Sequence, residues 1–341
     1  MQRKVASLGS SLGNRGMLWW VTRSGSFIYF LTLIHFKPTP IEDPWAIVEE
    51  FRHAARMAKK AGFDGVECTF LNYFVRRESG FNGPTIVQSG NGSLAHQFLD
   101  HSANQREDEW GGSIENRCRL GLECMKALIE VWGPARVGIK LSPCGGYSDV
   151  GYVVPCDAGD TYYSTWKFPS MPLPDTIMTY TYYVTRVAAM KPAYVQLLRY
   201  VHILDALIPS SGDKVLKRGV PHDVLSVYAG LIKPSPASLQ EHTMAHIRGS
   251  AMPKPEYDAK NPSPTRVFIN GGLNLEEAES FISEGLVDAA VFGRMWLGNP
   301  DFQWRLENDI SVNGNLDFKT FYDIVENDPR VGYSDYDEAA L

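Results

Sequence analysis

The stretch NQREDEWGGSIENRCRLGLECMKALIEVWGPARVGIKLSP, which occupies residues 104–143, decides the fold. A polar loop containing Gly111-Gly112 leads into a segment with helical periodicity, and Gly133-Pro134 ends that segment. The apolar run 137–141 then predicts a strand, so the stretch forms one loop–helix–strand unit. Lys140 lies at the carboxyl end of this strand. In a (β/α) barrel, that end of each strand is where active sites are built.

The same alternation of helix and strand recurs along the chain. Asp43-Pro44 is typical of a helix start, because the carboxylate can cap the first turn and proline suits the first helical position. Strands are predicted near residues 65, 138, 195, 268 and 291. Alternation of this kind indicates a parallel sheet. Counting Met17–Thr22 as a first strand gives about six, whereas a closed barrel has eight. We therefore predict an α/β fold of the (β/α)8 TIM-barrel type that is incomplete.

Two segments are predicted to be insertions into a single domain that covers residues 1–341. Residues 70–88 have no clean period, and either form a loop particular to this chain or are translated from an unspliced intron. Residues 201–265 are rich in proline and polar residues. A connection of that length inside a barrel is either a functional lid or an excursion on the surface.

The composition of the chain argues against several classes of partner. The net charge is −6 with no basic cluster, so nucleic acid is not an expected partner. Five dispersed cysteines without C-x-x-C spacing indicate reduced thiols in a cytoplasmic protein, and no metal site is expected. The apolar run 26–36 is roughly half as long as a membrane-spanning helix needs. We expect it to be a buried strand, with membrane attachment as the less favoured alternative.

Two blocks of sequence resemble a known family. The run N-x-R-x-D-x-x-G-G-S-x-E-N-R, from Asn104 to Arg117, and the block from Val291 to Leu306 are similar to the old yellow enzyme family. The resemblance covers the chain from Glu42 onward, apart from the two insertions, with a weaker match over residues 8–24. It implies a TIM barrel that binds FMN, takes hydride from NAD(P)H and acts on a small unsaturated carbonyl or quinone.

The resemblance assigns six residues to FMN binding: Thr22, Lys140, Gly271, Gly272, Gly293 and Arg294. The last four follow the final two predicted strands, and are assigned to the phosphate. Glycine lets backbone N–H groups approach an anion, and arginine adds a charge-assisted contact. Lys140 stands where the family has an arginine that faces the flavin ring, and Thr22 stands beside the ring. From the residues alone, the two glycines can be only a tight turn and Lys140 only a salt-bridged barrel residue.

The substrate pocket departs from the family pattern, which is a histidine, then histidine or asparagine three positions later, then a tyrosine. Asn91 matches the second donor to a substrate carbonyl, and Gln88 replaces the first histidine. Ser93 replaces the tyrosine and is a poorer proton donor. Tyr322 matches a tyrosine that lines the family's pocket, with a core aromatic as the alternative. No counterpart is found for the glutamine that contacts the flavin pyrimidine.

Two functions follow from these residues. The first is an FMN-dependent oxidoreductase, with NAD(P)H as reductant and an activated alkene as acceptor, in a cytoplasmic protein without stable membrane association. The second is a degenerate or truncated family member that has lost redox chemistry and serves as a binding or scaffold protein. A homodimer is open in either case.

Overall fold

The computed structural model of the protein describes residues 6–7, 41–68, 94–145, 171–201, 219–235, 263–314, 316, 330–332 and 335–339. The predicted strand Met17–Thr22, the predicted insertion 70–88 and the apolar run 26–36 lie outside these residues. For residues 6–7 the description is limited to the backbone.

A parallel sheet forms the centre of the described structure. Its strands are β1 (Ala6–Ser7), β2 (Val66–Cys68), β3 (Val137–Leu141), β4 (Tyr194–Leu198), β5 (Arg266–Asn270) and β6 (Ala289–Val291). The strands neighbour one another in chain order, and the pairings from β1 through β5 are parallel. Within the described residues the sheet is open, with β1 and β6 at its edges. The parallel α/β sheet and the five strands predicted near residues 65 to 291 are confirmed.

Eight α-helices are described: α1 (Pro44–Lys60), α2 (Leu94–Leu99), α3 (Ile114–Trp132), α4 (Leu173–Ala189), α5 (Val224–Ile232), α6 (Leu275–Ser283), α7 (Arg294–Leu297) and α8 (Phe302–Glu307). A 3-10 turn, Pro134–Arg136, joins α3 to β3. The predicted start of α1 is confirmed, because the Asp43 carboxylate accepts a hydrogen bond from the N–H of Trp45 at 2.9 Å. The predicted stop of α3 is also confirmed, since Gly133 caps it with φ of 75°. None of these helices is long and apolar enough to cross a membrane.

One face of the sheet is apolar and packs against helices. Alternate residues of the central strands point to it, and nearly all are inaccessible to solvent: Val66, Cys68, Val137, Ile139, Leu141, Val195, Leu197, Val267 and Ile269. Each such side chain contributes about 1.5–3 kcal/mol of hydrophobic stabilisation. Within the described part, Cys68, Cys118, Cys124 and Cys144 are buried and are not joined in disulfides. This face holds the sheet to its helices, which leaves chemistry to the other face.

The polar run from Asn104 to Arg117, which leads into α3, has a structural role. Asn104 donates from Nδ2 to the carbonyls of Phe98 at 2.9 Å and Trp110 at 2.8 Å. The buried Arg117 donates to the carbonyl of Leu99 at 2.9 Å and to the hydroxyl of Thr179 at 2.9 Å. Backbone carbonyls buried in a loop need such partners. The most specific motif in the sequence therefore builds the approach to α3.

Part of the predicted insertion 201–265 is a regular helix, which sequence analysis did not predict. Asp223 caps α5 by accepting from the N–H groups of Leu225 at 3.0 Å and Ser226 at 3.2 Å. The buried residues of α5 include Tyr228 and Ile232, and the helix packs against α4. Parallel strands need a crossover connection, and α5 occupies that place between β4 and β5. Residues 224–232 therefore form a packed helix, and the assignment of 201–265 as an insertion stays a prediction.

The described residues group into two compact units, the first ending at Ala290 and the second beginning at Val291. In the second unit, α8 is held by a charge pair between Asp301 and Arg305, whose Oδ1 and Nε are 2.7 Å apart. The side chains of both residues are nearly buried, with exposed fractions of 12% and 10%. Asn299 is buried and accepts from the N–H of Asn313 at 2.6 Å. These residues give the second unit its own polar framework.

Candidate functional site

The second face of the sheet carries polar side chains. By strand alternation and register, Glu67 of β2, Lys140 of β3 and Gln196 of β4 lie on this face, with Gln196 directly opposite Lys140. Tyr194 and Phe268 lie beside them, and their rings stack with centroids 4.5 Å apart and planes 11° from parallel. A row of buried or half-buried polar groups inside a parallel sheet is unusual, because such strands are normally apolar on both faces. This face is therefore the candidate site.

A glycine lets the polar groups of this face meet. A Cβ placed on Gly138 would lie 2.1 Å from Cζ of Tyr194, so the tyrosine ring occupies the space that a side chain would fill. The Tyr194 hydroxyl thereby reaches across β3 and donates to Oε2 of Glu67 at 2.7 Å. Burial, followed by the neighbouring charge of Glu67, raises the pKa of Tyr194 well above its usual value. The phenol consequently stays protonated and acts as a donor.

Lys140 is half-buried on this face. Burial lowers the pKa of Lys140 from its ordinary value, and the negative charge of Glu67 acts in the opposite direction. Glu67 thus favours the protonated form of the lysine. The structure places Lys140 at the carboxyl end of its strand, as predicted, and gives it an acidic neighbour that sequence analysis did not predict.

The predicted pair Gly271-Gly272 forms the turn that follows β5. The φ angles are +109° at Gly271 and +61° at Gly272, in the left-handed region that glycine adopts at little cost. A Cβ on Gly271 would lie 2.9 Å from Leu198 and 3.0 Å from the carbonyl oxygen of Arg199. Asn274 then begins α6 with a capping box, in which its side chain and that of Glu277 each accept from the other's backbone N–H. The turn therefore leads directly into a helix N-terminus at the carboxyl edge of the sheet.

Arg199, which follows β4, forms hydrogen bonds to this turn from one side. Its Nε donates to the carbonyl of Gly271 at 2.5 Å, and its Nη2 donates to the carbonyl of Gly272 at 2.9 Å. The same guanidinium binds both carboxylate oxygens of Glu277, at 3.0 Å and 2.8 Å. These hydrogen bonds lower the pKa of Glu277 from its ordinary value. Sequence analysis did not identify Arg199.

The predicted pair Gly293-Arg294 begins α7 in the second unit. Gly293 accepts from the N–H of Leu297 at 3.2 Å, and Arg294 accepts from the N–H of Gly298 at 3.0 Å. A Cβ on Gly293 would meet no atom within 4 Å, so crowding does not require glycine there. Phosphate binding by this pair stays a prediction.

Five predicted site residues lie outside the described residues: Thr22, Gln88, Asn91, Ser93 and Tyr322. The structure therefore neither brings them to the site nor separates them from it. Their assignment rests on the resemblance alone.

A cysteine, a histidine and a tyrosine meet where the chain leaves β3. The Sγ of Cys144 lies 3.8 Å from Nδ1 of His222, but that nitrogen is 2.8 Å from the carbonyl oxygen of Val220 and so carries the proton. Nε2 of His222 then accepts from the Tyr228 hydroxyl at 3.0 Å. Burial raises the pKa of Cys144 to about 11 and lowers the pKa of His222. The group is a neutral hydrogen-bonded anchor for residues 219–223, since a reactive thiol would need a lowered pKa.

Four residues of this region, Glu67, Tyr194, Gln196 and Arg199, were not predicted. The signal for the first three was present, because polar residues at alternate positions of an otherwise apolar strand indicate a polar face. Within the described residues, no three His, Cys, Asp or Glu side chains are grouped so that they could hold a metal ion.

Fold and site together define a (β/α)-barrel type of protein with a lysine and a glycine turn at the carboxyl edge of its sheet. A model of the NADH:flavin oxidoreductase / NADH oxidase family matches residues 41–160. Over residues 41–160 the chain is similar to this family, and the relatives described next support the old yellow enzyme family.

Named relatives match over a larger part of the chain. The chain is 29% identical to 12-oxophytodienoate reductase 2 of Arabidopsis thaliana over 297 residues, which cover 87% of this chain and 56% of the relative. It is also 29% identical to 12-oxophytodienoate reductase 1 of Oryza sativa subsp. japonica over 290 residues, or 85% of this chain and 54% of the relative. The chain thus spans about half the length of the curated relatives that it matches.

Solved structures show a similar fold. Morphinone reductase superposes with a TM-score of 0.54 at 24% identity, covering 89% of this chain and 59% of that protein. The old yellow enzyme homologue from Zymomonas mobilis superposes with a TM-score of 0.53 at 20% identity, covering 88% of this chain and 61% of that protein. These superpositions support the TIM-barrel type of fold, and the open sheet of the described residues agrees with an incomplete barrel.

Proposed function

We propose that this chain is an FMN-dependent oxidoreductase of the ene-reductase type, which uses NAD(P)H to reduce a small activated alkene. One observation carries the proposal: Lys140 and the Gly271-Gly272 turn stand at the carboxyl ends of two strands of one parallel sheet. Ligands of parallel α/β sheets bind at that edge. The similarity of residues 41–160 to the NADH:flavin oxidoreductase family supports FMN as the class of cofactor.

The residues at the glycine turn fit a phosphate group. A side chain on Gly271 would fill the space beside Leu198 and the backbone of Arg199. Consecutive peptides with positive φ, placed just before α6, form a concave backbone surface that suits an anion. Gly271 and Gly272 would hold the phosphate through backbone N–H groups, and Gly293 and Arg294 are proposed as its second set of contacts.

The residues of the polar face fit the ring end of the cofactor. FMN, when bound, supplies the two-electron carrier that accepts hydride from a reduced nicotinamide and delivers it to the substrate. Lys140 would provide a fixed positive charge at this end, and Thr22 a hydroxyl beside the ring. A fixed cation stabilises negative charge that develops nearby, at little reorganisation cost. The negative charge of Glu67 opposes the lowering of the Lys140 pKa by burial and so favours this cation.

The substrate is proposed to be a small α,β-unsaturated carbonyl compound or a quinone. Asn91 and Gln88 would donate hydrogen bonds to the carbonyl oxygen, which polarises the conjugated double bond. Ser93, or a water beside it, would provide the proton for the adjacent carbon, and Tyr322 would line the pocket. A serine hydroxyl is a weaker acid than a phenol, so we expect slow turnover.

The experiment that tests the proposal is an absorbance spectrum of the purified protein, taken after mixing with FMN and desalting. A retained flavin band supports the proposal, and NAD(P)H oxidation that depends on an added enone completes it. Lys140→Met is the informative variant, because it removes the charge but keeps a long side chain. We expect this variant to bind FMN more weakly than the wild type and to lose enone-dependent oxidation of NAD(P)H. A wild-type protein that retains no FMN would refute the proposal.

A second candidate is a binding or scaffold protein without redox chemistry. The observation that favours it is the open sheet, whose described part has six strands where a closed barrel has eight. One assay, electron transfer from NAD(P)H in a protein that retains FMN, distinguishes the two functions. A protein that retains FMN, but transfers no electrons from NAD(P)H to any enone or quinone offered, belongs to the second class.

A further inference from the structure

The inference concerns Arg199 and rests on the proposed function. Arg199 makes four hydrogen bonds, two to the carbonyls of Gly271 and Gly272 and two to the carboxylate of Glu277. Its own N–H also donates to the carbonyl of Asn270 at 2.9 Å, which extends the pairing of β4 with β5 beyond the last strand residue. The backbone of Arg199 is thus fixed by the sheet, and its guanidinium is fixed by the turn.

The hydrogen bonds from the Arg199 guanidinium to these two carbonyls determine the direction of the N–H groups in the turn. No cis peptide occurs among the described residues, and in a trans peptide the C=O and the following N–H point in opposite directions. The carbonyls of Gly271 and Gly272 face Arg199, so the N–H groups of Gly272 and Leu273 face away from it. Within the described part of the chain, neither N–H has a hydrogen-bond partner. Two adjacent donors are therefore held on the side of the turn opposite the arginine.

Glu277 makes the arrangement rigid and would also oppose an anion if left alone. Its Oε2 accepts both from Arg199 and from the N–H of Asn274 at 3.1 Å, so it ties the guanidinium to the first turn of α6. A carboxylate in that position places negative charge close to the turn. Arg199 neutralises this charge through its two contacts. The side chain consequently has two effects, which are to orient the amide donors and to cancel an unfavourable charge.

We propose that Arg199 is a positioning residue for the phosphate of FMN: it presets the Gly271-Gly272 turn so that the N–H groups of Gly272 and Leu273 face the anion. Four of the five N–H groups of the guanidinium are engaged by the two carbonyls and by Glu277. In this proposal Arg199 acts through the turn and not by direct contact with the phosphate. The ligand chemistry that it selects is a phosphate monoester on the flavin side chain.

The test compares FMN with riboflavin, which lacks the phosphate, as ligands of the full chain. Dissociation constants for both are measured by quenching of flavin fluorescence, for the wild type and for Arg199→Gln. We expect Arg199→Gln to weaken FMN binding about tenfold or more, which corresponds to the loss of charged hydrogen bonds. Riboflavin affinity should change little, so the preference for FMN over riboflavin collapses. A general loss of structure would weaken both ligands together.

Arg266→Gln is the matched control. Arg266 lies at the amino end of β5 and pairs with Asp288 at 2.9 Å, so it is also an arginine paired with a carboxylate, but at the opposite edge of the sheet. We expect this variant to keep the wild-type ratio of FMN to riboflavin affinity. If Arg199→Gln does not fold, Arg199→Lys replaces it, because lysine keeps the charge beside Glu277 but cannot reach both carbonyls at once. A reduced ratio in Arg199→Lys supports the inference, and an unchanged ratio overturns it.

The outcomes distinguish this inference from the proposed function. A wild type that binds neither flavin refutes the proposed function and the inference with it. A wild type that prefers FMN, with an Arg199→Gln variant that keeps the same preference, refutes only the inference. The double variant Arg199→Gln/Glu277→Gln tests the charge of Glu277. If it binds FMN more tightly than Arg199→Gln does, the uncompensated charge of Glu277 accounts for part of the lost FMN affinity.

Discussion

The hydroxyl of Tyr194 on β4 donates to the carboxylate of Glu67 on β2 at 2.7 Å, across the intervening strand β3. The contact exists because β3 has glycine at position 138, where the tyrosine ring lies. Two residues that are 127 positions apart in the chain are thereby joined on the polar face of the sheet. The stacked ring of Phe268 holds the tyrosine from β5. Four strands thus contribute to one half-buried arrangement.

Gly138→Ala tests how tightly this arrangement is packed. The added methyl would overlap the Tyr194 ring, so the ring must move and its bond to Glu67 must break. We expect the free energy of unfolding to fall by roughly 1–3 kcal/mol, as measured by urea denaturation. Gly314→Ala is the control, because a Cβ there meets no atom within 4 Å. An effect of Gly138→Ala no larger than that of Gly314→Ala would mean that the ring is not confined.

The lowered pKa of Lys140 predicts a specific pH dependence of stability. Below its folded-state pKa the lysine is charged in both states, and the folded state bears the cost of burying that charge. As pH rises from the folded-state pKa to the ordinary value of 10.5, the folded protein loses this proton first, so its contribution to stability increases. The difference in unfolding free energy between wild type and Lys140→Met should therefore shift in favour of the wild type across this window.

Glu67→Gln sharpens the test of Lys140. Without the charge of Glu67, the lowering of the Lys140 pKa by burial is not offset by this neighbour, so this pKa should fall further. The pH range in which the wild type gains stability over Lys140→Met should then begin at a lower pH. The same pair of measurements, repeated in the Glu67→Gln background, gives the displacement of the window. No displacement would mean that Glu67 and Lys140 are not coupled.

Arg117→Leu tests the structural role of the polar run before α3. The substitution leaves the carbonyl of Leu99 and the hydroxyl of Thr179 without their donor in a buried position. We expect a loss of roughly 3 kcal/mol or more in the free energy of unfolding. FMN affinity, measured where the variant is still folded, should be close to that of the wild type. Arg56→Leu, at an exposed position of α1, serves as the control, and a selective loss of FMN binding in Arg117→Leu would contradict the structural assignment.

Asp301→Ala probes the second unit. Besides its pairing with Arg305, Asp301 accepts from the N–H of Ala339 at 2.8 Å through Oδ2. Removing the acceptor should speed hydrogen exchange at the Ala339 amide, because that amide loses its partner. The exposed Glu307, at the end of the same helix, gives the control variant Glu307→Ala. An unchanged exchange rate at Ala339 would show that the amide is protected in some other way.

Much of the fold could be predicted because its signals are local. The buried strands are short apolar runs, and the limits of α1 and α3 follow from Asp43-Pro44 and Gly133-Pro134. The helix α5 was missed because it has nine residues within a proline-rich and polar stretch, although Asp223 is a good cap for it. Local patterns lose their value where a short element lies among turn-forming residues.

The candidate site was harder to predict because its contacts are distant in sequence. Lys140 and Gly271-Gly272 were found through family resemblance and through their places after strands. Arg199 gave no local signal, since its partners Gly271 and Glu277 lie 72 and 78 positions away. Glu67 and Gln196 were overlooked because their strands were judged by their apolar residues alone.

The order of the strands in the sheet has a consequence for how the protein is made. Each strand from β2 to β6 pairs with the strand that precedes it in the chain. A nascent chain can therefore add one strand and its helix to the growing sheet as soon as they leave the ribosome, without waiting for later segments. Since β5 and its glycine turn come late in this order, the edge proposed to bind the anion would be completed only near the end of synthesis. A translation pause before β5 would leave a partly built sheet with an unpaired edge, which is the form most exposed to chaperones and to aggregation.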